Sequence, residues 1–79
     1  MKIKVTVMPK AGVLDPQGRA IQQALGSLGF AGVAEVRAGK VMILDLAGSD
    51  PVAARAMGEE MARKLLANTV IESFSVELA

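Results

Sequence analysis

Met8-Pro9-Lys10-Ala11-Gly12-Val13-Leu14-Asp15-Pro16-Gln17-Gly18-Arg19-Ala20 is the stretch on which the reading of the fold turns. Pro9 has no N–H to give to a sheet ladder, so it ends the strand before it. Gly12 admits backbone angles that other residues avoid. Asp15-Pro16 is a helix start. The carboxylate accepts from the first free N–H groups, and Pro16 fits the first helical position, where its missing N–H is no loss. Gly18 is out of place by propensity. At the third helical position it costs about 1 kcal/mol against Ala, and it stands where a capping box would carry Glu or Gln. Such a residue points to a close neighbour at the first helical turn. Three uses of the stretch are open: a plain strand-to-helix connection, a contact surface for another protein, or a phosphate site at the helix N-terminus near Lys10 and Arg19. Asp15 argues against the last, because it already occupies the free N–H groups and repels an anion.

Upstream, Lys2 to Met8 alternates cleanly. Ile3, Val5 and Val7 face one way and Lys2, Lys4 and Thr6 the other, which predicts a half-buried strand. Downstream, Pro16 to about Leu28 reads as a helix with Ile21, Ala24, Leu25 and Leu28 on one apolar stripe, stopped at Gly29. Gly26-Ser27-Leu28-Gly29 has the G-x-x-G form of an RNA-clamping KH loop. Such loops join two helices and carry basic residues, whereas here Phe30 and strand material follow.

Val33 to Leu46 is strand-forming, with two readings at Ala38-Gly39: a tight hairpin turn, or one long strand bent at Gly39. Val36, Ala38, Lys40, Met42, Leu44 and Leu46 share a face that is apolar except for Lys40, which favours the continuous strand. Gly48-Ser49-Asp50-Pro51 repeats the helix-start device. A second helix is expected to about Ala67, with Ala54, Met57, Met61 and Leu65 as its core stripe. Arg55–Glu59, Glu59–Arg63 and Glu60–Lys64 fall at i,i+4 on the solvated side. Asn68-Thr69 ends the helix, and Val70 to Leu78 alternates as a last strand. Glu72 lies either at the sheet rim or beside a basic partner.

The order β-α-β(β)-α-β predicts an α+β fold, a two-layer sandwich of a largely antiparallel sheet with two helices on one face. Lys2, Lys4, Met8, Val41, Ile43 and Ile71 fall on the other face, which no helix is left to cover and a second copy could.

The 79 residues make one domain, 1–79, and 52% of them are hydrophobic, with a mean hydropathy of +0.41. A chain this small buries only about 60% of its unfolded surface, and there is no Cys to staple it. Oligomerisation is the common remedy. A net charge of +1 draws the chain neither to nucleic acid nor to an anionic membrane. No apolar run reaches membrane-span length, and Met1-Lys2-Ile3-Lys4 leads into a strand pattern rather than a signal peptide. The expected location is cytoplasmic. His, Cys, Tyr and Trp are absent. Ser27, Ser49, Ser73 and Ser75 have no neighbouring base, no cluster has metal-ligand spacing, and no phosphate-cradling glycine motif occurs. Catalysis by the chain alone, or a cofactor or metal of its own, is not expected.

Three stretches carry a resemblance that spans the whole chain. Pro9-Lys10-Ala11-Gly12-Val13-Leu14-Asp15-Pro16-Gln17-Gly18, Val36-Arg37-Ala38-Gly39-Lys40 and Leu65-Leu66-Ala67-Asn68-Thr69-Val70-Ile71-Glu72 resemble PurS, the small subunit of phosphoribosylformylglycinamidine synthase. Thr69, where many members have Pro, and Phe74, where Tyr is common, are departures. The resemblance implies a PurS-like fold and a non-catalytic subunit in purine biosynthesis. The complex converts formylglycinamide ribonucleotide to formylglycinamidine ribonucleotide with ATP and glutamine-derived ammonia. It also implies a homodimer or higher oligomer that bridges a PurQ-type glutaminase and a PurL-type synthetase and supports ammonia transfer. ATP and Mg would be bound by the synthetase. On the matching motifs, Lys10, Gly18, Arg37, Lys40, Asn68 and Glu72 are candidates for partner contact, while Pro9, Gly12, Asp15, Pro16 and Gly39 are structural. Arg37 and Lys40 have the stronger claim, since no capping or i,i+4 role is visible for them.

Two other classes fit the size and element order. An ACT-like regulatory module would dimerise around a small ligand. An RRM-like RNA binder would need aromatics on the open sheet face, and Phe30 and Phe74 sit in no such motif.

Overall fold

The computed structural model describes residues 1–79. β1 (Lys2–Pro9) is followed by α1 (Pro16–Ser27), β2 (Lys40–Asp45), α2 (Pro51–Met61) and β3 (Glu72–Leu78). The three strands form one antiparallel sheet in the order β2-β1-β3. β1 is central because it alone offers an unbroken alternation of branched residues. Ile3, Val5 and Val7 are fully buried on one face. Met42 and Leu44 stand beside them on β2, and Phe74 and Val76 on β3. The α+β reading, with its antiparallel sheet and two helices, holds.

Both helix starts form as the sequence predicts. Asp50 accepts from Val52 N at 3.0 Å and Ala53 N at 3.4 Å, Asp15 accepts from Gly18 N at 2.9 Å, and a proline opens each helix. α2 lies on the Ile3/Val5/Val7 face and then widens into a π-helical turn over Ala62–Leu66, closed by Ala67 N donating to Ala62 O at 2.9 Å. Its buried stripe is Ala54, Gly58 and Ala62, not the expected Ala54, Met57, Met61 and Leu65. Met57 and Leu65 are exposed. The reason is close approach: a β-carbon on Gly58 would collide with the Ile3 side chain. Small residues let the helix backbone settle on the sheet, and Met57 and Leu65 are turned outward.

α1 is not laid on the sheet beside α2. Only Gly18 of α1 is buried, and Leu28 and Phe30 just beyond it are 73% and 59% exposed. The helix instead stands out as an arm. The chain turns through Gly29 and Gly32, both with positive φ, and 33–39 runs back along α1 without a strand partner. Gln22 Nε2 ties the two by donating to Val33 O at 3.2 Å and Ala34 O at 3.0 Å. The molecule accordingly measures 48 × 24 × 15 Å, with a radius of gyration of 15.8 Å, against about 12 Å for a compact chain of this length.

The ambiguity at Ala38-Gly39 resolves as neither a hairpin turn nor a long strand within the sheet. β2 begins only at Lys40, opposite Val7. Pro9, without an N–H, could not extend the ladder to Ala38. Of the three expected i,i+4 charge pairs on α2, Glu60–Lys64 forms, at 2.8 Å.

Candidate functional site

The three motif stretches meet at one end of the sheet, where the arm joins it. Pro9 closes β1 and Lys10 follows. Lys10 N donates to Ile71 O at 2.9 Å, and its Nζ reaches Thr69 O at 2.8 Å. This pins the start of the β1–α1 loop to the turn before β3. That turn is built by Asn68 and Glu72. Asn68 N donates to Glu72 Oε1 at 2.7 Å, Val70 N donates to Asn68 Oδ1 at 3.2 Å, and Ile71 N and Glu72 N both donate to Asn68 O. An Asx turn of this kind holds the chain at Thr69 without a proline there.

Across the joint, Asp15 uses both carboxylate oxygens. Oδ1 accepts from Gly18 N, and Oδ2 accepts from Ala38 N at 2.8 Å. These two backbone donors, Gly18 first, hold the Asp15 carboxyl below its ordinary pKa, and the nearby Arg37 charge adds to the effect. The Arg37 guanidinium in turn donates to Pro9 O. Gly18 packs against the Val36 carbonyl, and Gly39 packs against Met8 and the Val7 carbonyl, each with no room for a β-carbon. Gly12 carries a φ of 81° in the loop between, a conformation that L side chains resist.

The structure therefore brings Lys10, Gly18, Arg37, Asn68 and Glu72 to one region, with Pro9, Asp15 and Gly39. Each is engaged with a neighbour in the same chain. Arg37 has a role in the fold after all, because its acceptor is a carbonyl that only the folded joint presents. Lys40 differs. It is exposed at the start of β2, on the Met42/Leu44 side, without an ion pair.

Sequence reasoning missed Gln22, whose backbone contacts hold the arm together, and nothing in its local pattern signals that role. It also missed two shallow surface depressions on α2. One, of about 360 Å³, is lined by Met57, Glu60, Met61, Lys64, Leu65 and Leu66. The other, of about 350 Å³, lies between the start of α2 and Leu78. No group of three His, Cys, Asp or Glu side chains is placed to hold a metal ion, and no helix is long and apolar enough to cross a membrane. What the joint does is mechanical: it couples a projecting helix to a sheet.

Comparison with known proteins agrees in sequence and in shape. Residues 2–79 match the family model described as PurS, phosphoribosylformylglycinamidine (FGAM) synthase. The chain is 48% identical over 77 residues to the FGAM synthase subunit PurS of Bacillus subtilis, covering 98% of this chain and 90% of that one. The crystal structure of B. subtilis PurS superposes with a TM-score of 0.85 at 47% identity, covering 99% of this chain and 96% of the other. A chain in the structure of PurLQS from Thermotoga maritima superposes with a TM-score of 0.86 at 26% identity, covering 99% and 95%. These comparisons do not favour the ACT-like alternative. With full-length similarity in sequence and fold, the chain belongs to the PurS family of FGAM synthase.

Proposed function

We propose that this chain is the small, non-catalytic subunit of an FGAM synthase complex, bridging a PurL-type synthetase and a PurQ-type glutaminase and supporting ammonia transfer. The observation that carries the reading is the end-to-end similarity to a chain of the T. maritima PurLQS structure. In this reading ATP and Mg are bound by the synthetase, and the location is cytoplasmic.

The chain acts as a homodimer. Leu14, Ile21, Leu28 and Phe30 on and beside the arm, with Val41 and Ile43 on the open sheet face, are exposed in the single chain. Such an apolar surface on a small domain is characteristic of an interaction face. Lys40 is the candidate for contact with another subunit, being a charge that the fold leaves free.

The test is co-purification of the chain with PurL-type and PurQ-type subunits, with and without glutamine and nucleotide, followed by glutamine-dependent FGAM formation. Activity that requires all three chains supports the reading. Full glutamine-dependent activity without this chain overturns it.

A further inference from the structure

The arm is held to the rest of the molecule by a short series of contacts. Gly39 is packed against Met8 and the Val7 carbonyl, and Arg37 donates to Pro9 O, so 37–39 is fixed to the end of β1. Ala38, inside that segment, gives its N–H to Asp15 Oδ2, and Asp15 Oδ1 takes the N–H of Gly18 in the first turn of α1. The Asp15 carboxylate is thus the link between the fixed segment and the helix. Beyond it, α1 has the contact of Gly18 with the Val36 carbonyl and Gln22 against Val33 and Ala34, and all of these partners lie within the arm. The other covalent connection, Ala11 to Leu14, contains the left-handed Gly12 and no regular structure. Within the single chain no buried core holds α1 in place.

We propose that Asp15 is a latch that fixes the direction in which the α1 arm leaves the sheet, a role beyond capping the helix. The latch acts within one chain, so it stands or falls separately from the subunit reading.

Asparagine separates the two roles. Asn caps a helix about as well as Asp, but its amide group has one acceptor oxygen and a donor on the other side. Because Gly18 N and Ala38 N bind different oxygens of Asp15, an Asn side chain in the same orientation meets one of them with its NH2 group and loses that bond. If Asp15 only caps α1, Asp15→Asn is silent. If it is the latch, the Ala38 amide loses a charge-assisted bond and exchanges with solvent about ten- to a hundredfold faster. The direction of the arm also becomes dispersed. The chain contains no Cys, so cysteines placed at Ser27 on the arm and Ser75 on the sheet can carry spin labels, diluted with unlabelled chain to isolate distances within one copy. The expected result is faster exchange at Ala38 and a broadened Ser27–Ser75 distance distribution in Asp15→Asn. Gly18→Ala, which drives a β-carbon against both Val36 O and the Asp15 carboxylate, should act in the same direction. Unchanged Ala38 exchange and an unchanged distance distribution in a folded Asp15→Asn protein overturn the latch.

Discussion

The carbonyl oxygen of Val36 occupies the space that a β-carbon on Gly18 would need. Helix propensity alone predicts that Gly18→Ala stabilises α1 by about 1 kcal/mol. The structure predicts the opposite sign. The obstacle is backbone held from both sides, and overpacking of this kind costs about 1–3 kcal/mol. Gly26, in the same helix, has nothing near its β-carbon position, so Gly26→Ala should gain up to about 1 kcal/mol. Urea midpoints of the two variants should move in opposite directions. Parallel shifts would mean that α1 is not pressed against Val36.

Acid should loosen the arm through Asp15. Its folded pKa is depressed by the Gly18 and Ala38 amides, in that order, with Arg37 assisting. A depressed carboxylate contributes its full stabilisation above the unfolded pKa of about 3.9 and loses it as pH falls through the lower folded value. Protection of the Ala38 amide should therefore be flat near neutrality and fall below about pH 4. The Asp15→Asn protein should lack that step. Hydrogen exchange across the acid range measures it, and an equal step in both proteins would assign the loss to another group.

Leu28 is 73% exposed in the single chain, so charge there should disturb self-association and spare the monomer fold. Burying a Leu side chain contributes about 1.5–3 kcal/mol. Leu28→Glu should then weaken the proposed dimer about ten- to a hundredfold or more. Sedimentation across a concentration series gives the dissociation constant. A value equal to that of the parent would remove Leu28 from the interface.

Arg37 and Lys40, alike by sequence, should behave differently. Arg37→Glu removes the donor to Pro9 O and brings an acid towards Asp15, so the thermal midpoint should fall. Lys40→Glu should change stability by less than about 0.5 kcal/mol. If Lys40 pairs with a buried acid on a partner subunit, its reversal costs about 2–5 kcal/mol of assembly. A rim contact would cost under about 1 kcal/mol and vanish in high salt. Pull-downs at two salt concentrations, with melts of each variant, separate these outcomes.

Much of this was legible in the chain because it is local. The alternation of Ile3, Val5 and Val7 places the core face of β1, and two Asp-Pro steps mark both helix starts. The oddity of Gly18 correctly signalled a close neighbour. The identity of that neighbour was not legible, because Val36 is distant in sequence and offers only its carbonyl. Periodicity showed that Ile21 and Leu28 share a stripe but not that the chain leaves it uncovered. Hydropathy ranked Met57 and Leu65 above Gly58 as core residues, whereas close helix–sheet packing selects for smallness. Lys10, Asn68 and Glu72 stood out as charged or polar motif residues. Their partners are backbone groups of a turn, which no pattern of side chains reveals.

The sheet order β2-β1-β3 also governs how the molecule comes into being. The strand holding the largest fully buried side chains is the first of the three to be synthesised, yet one of its two neighbours, β3, is the third. The arm closes on itself through separations of one or two dozen residues, while Ile3 must find Leu78 at the far end. Non-local pairing of this kind slows folding. Until it is complete, β1 has an unpaired edge and an apolar face that α2 and β3 together must cover, a state prone to aggregation. On the ribosome, the arm can form early, and the sheet that supports it is completed last.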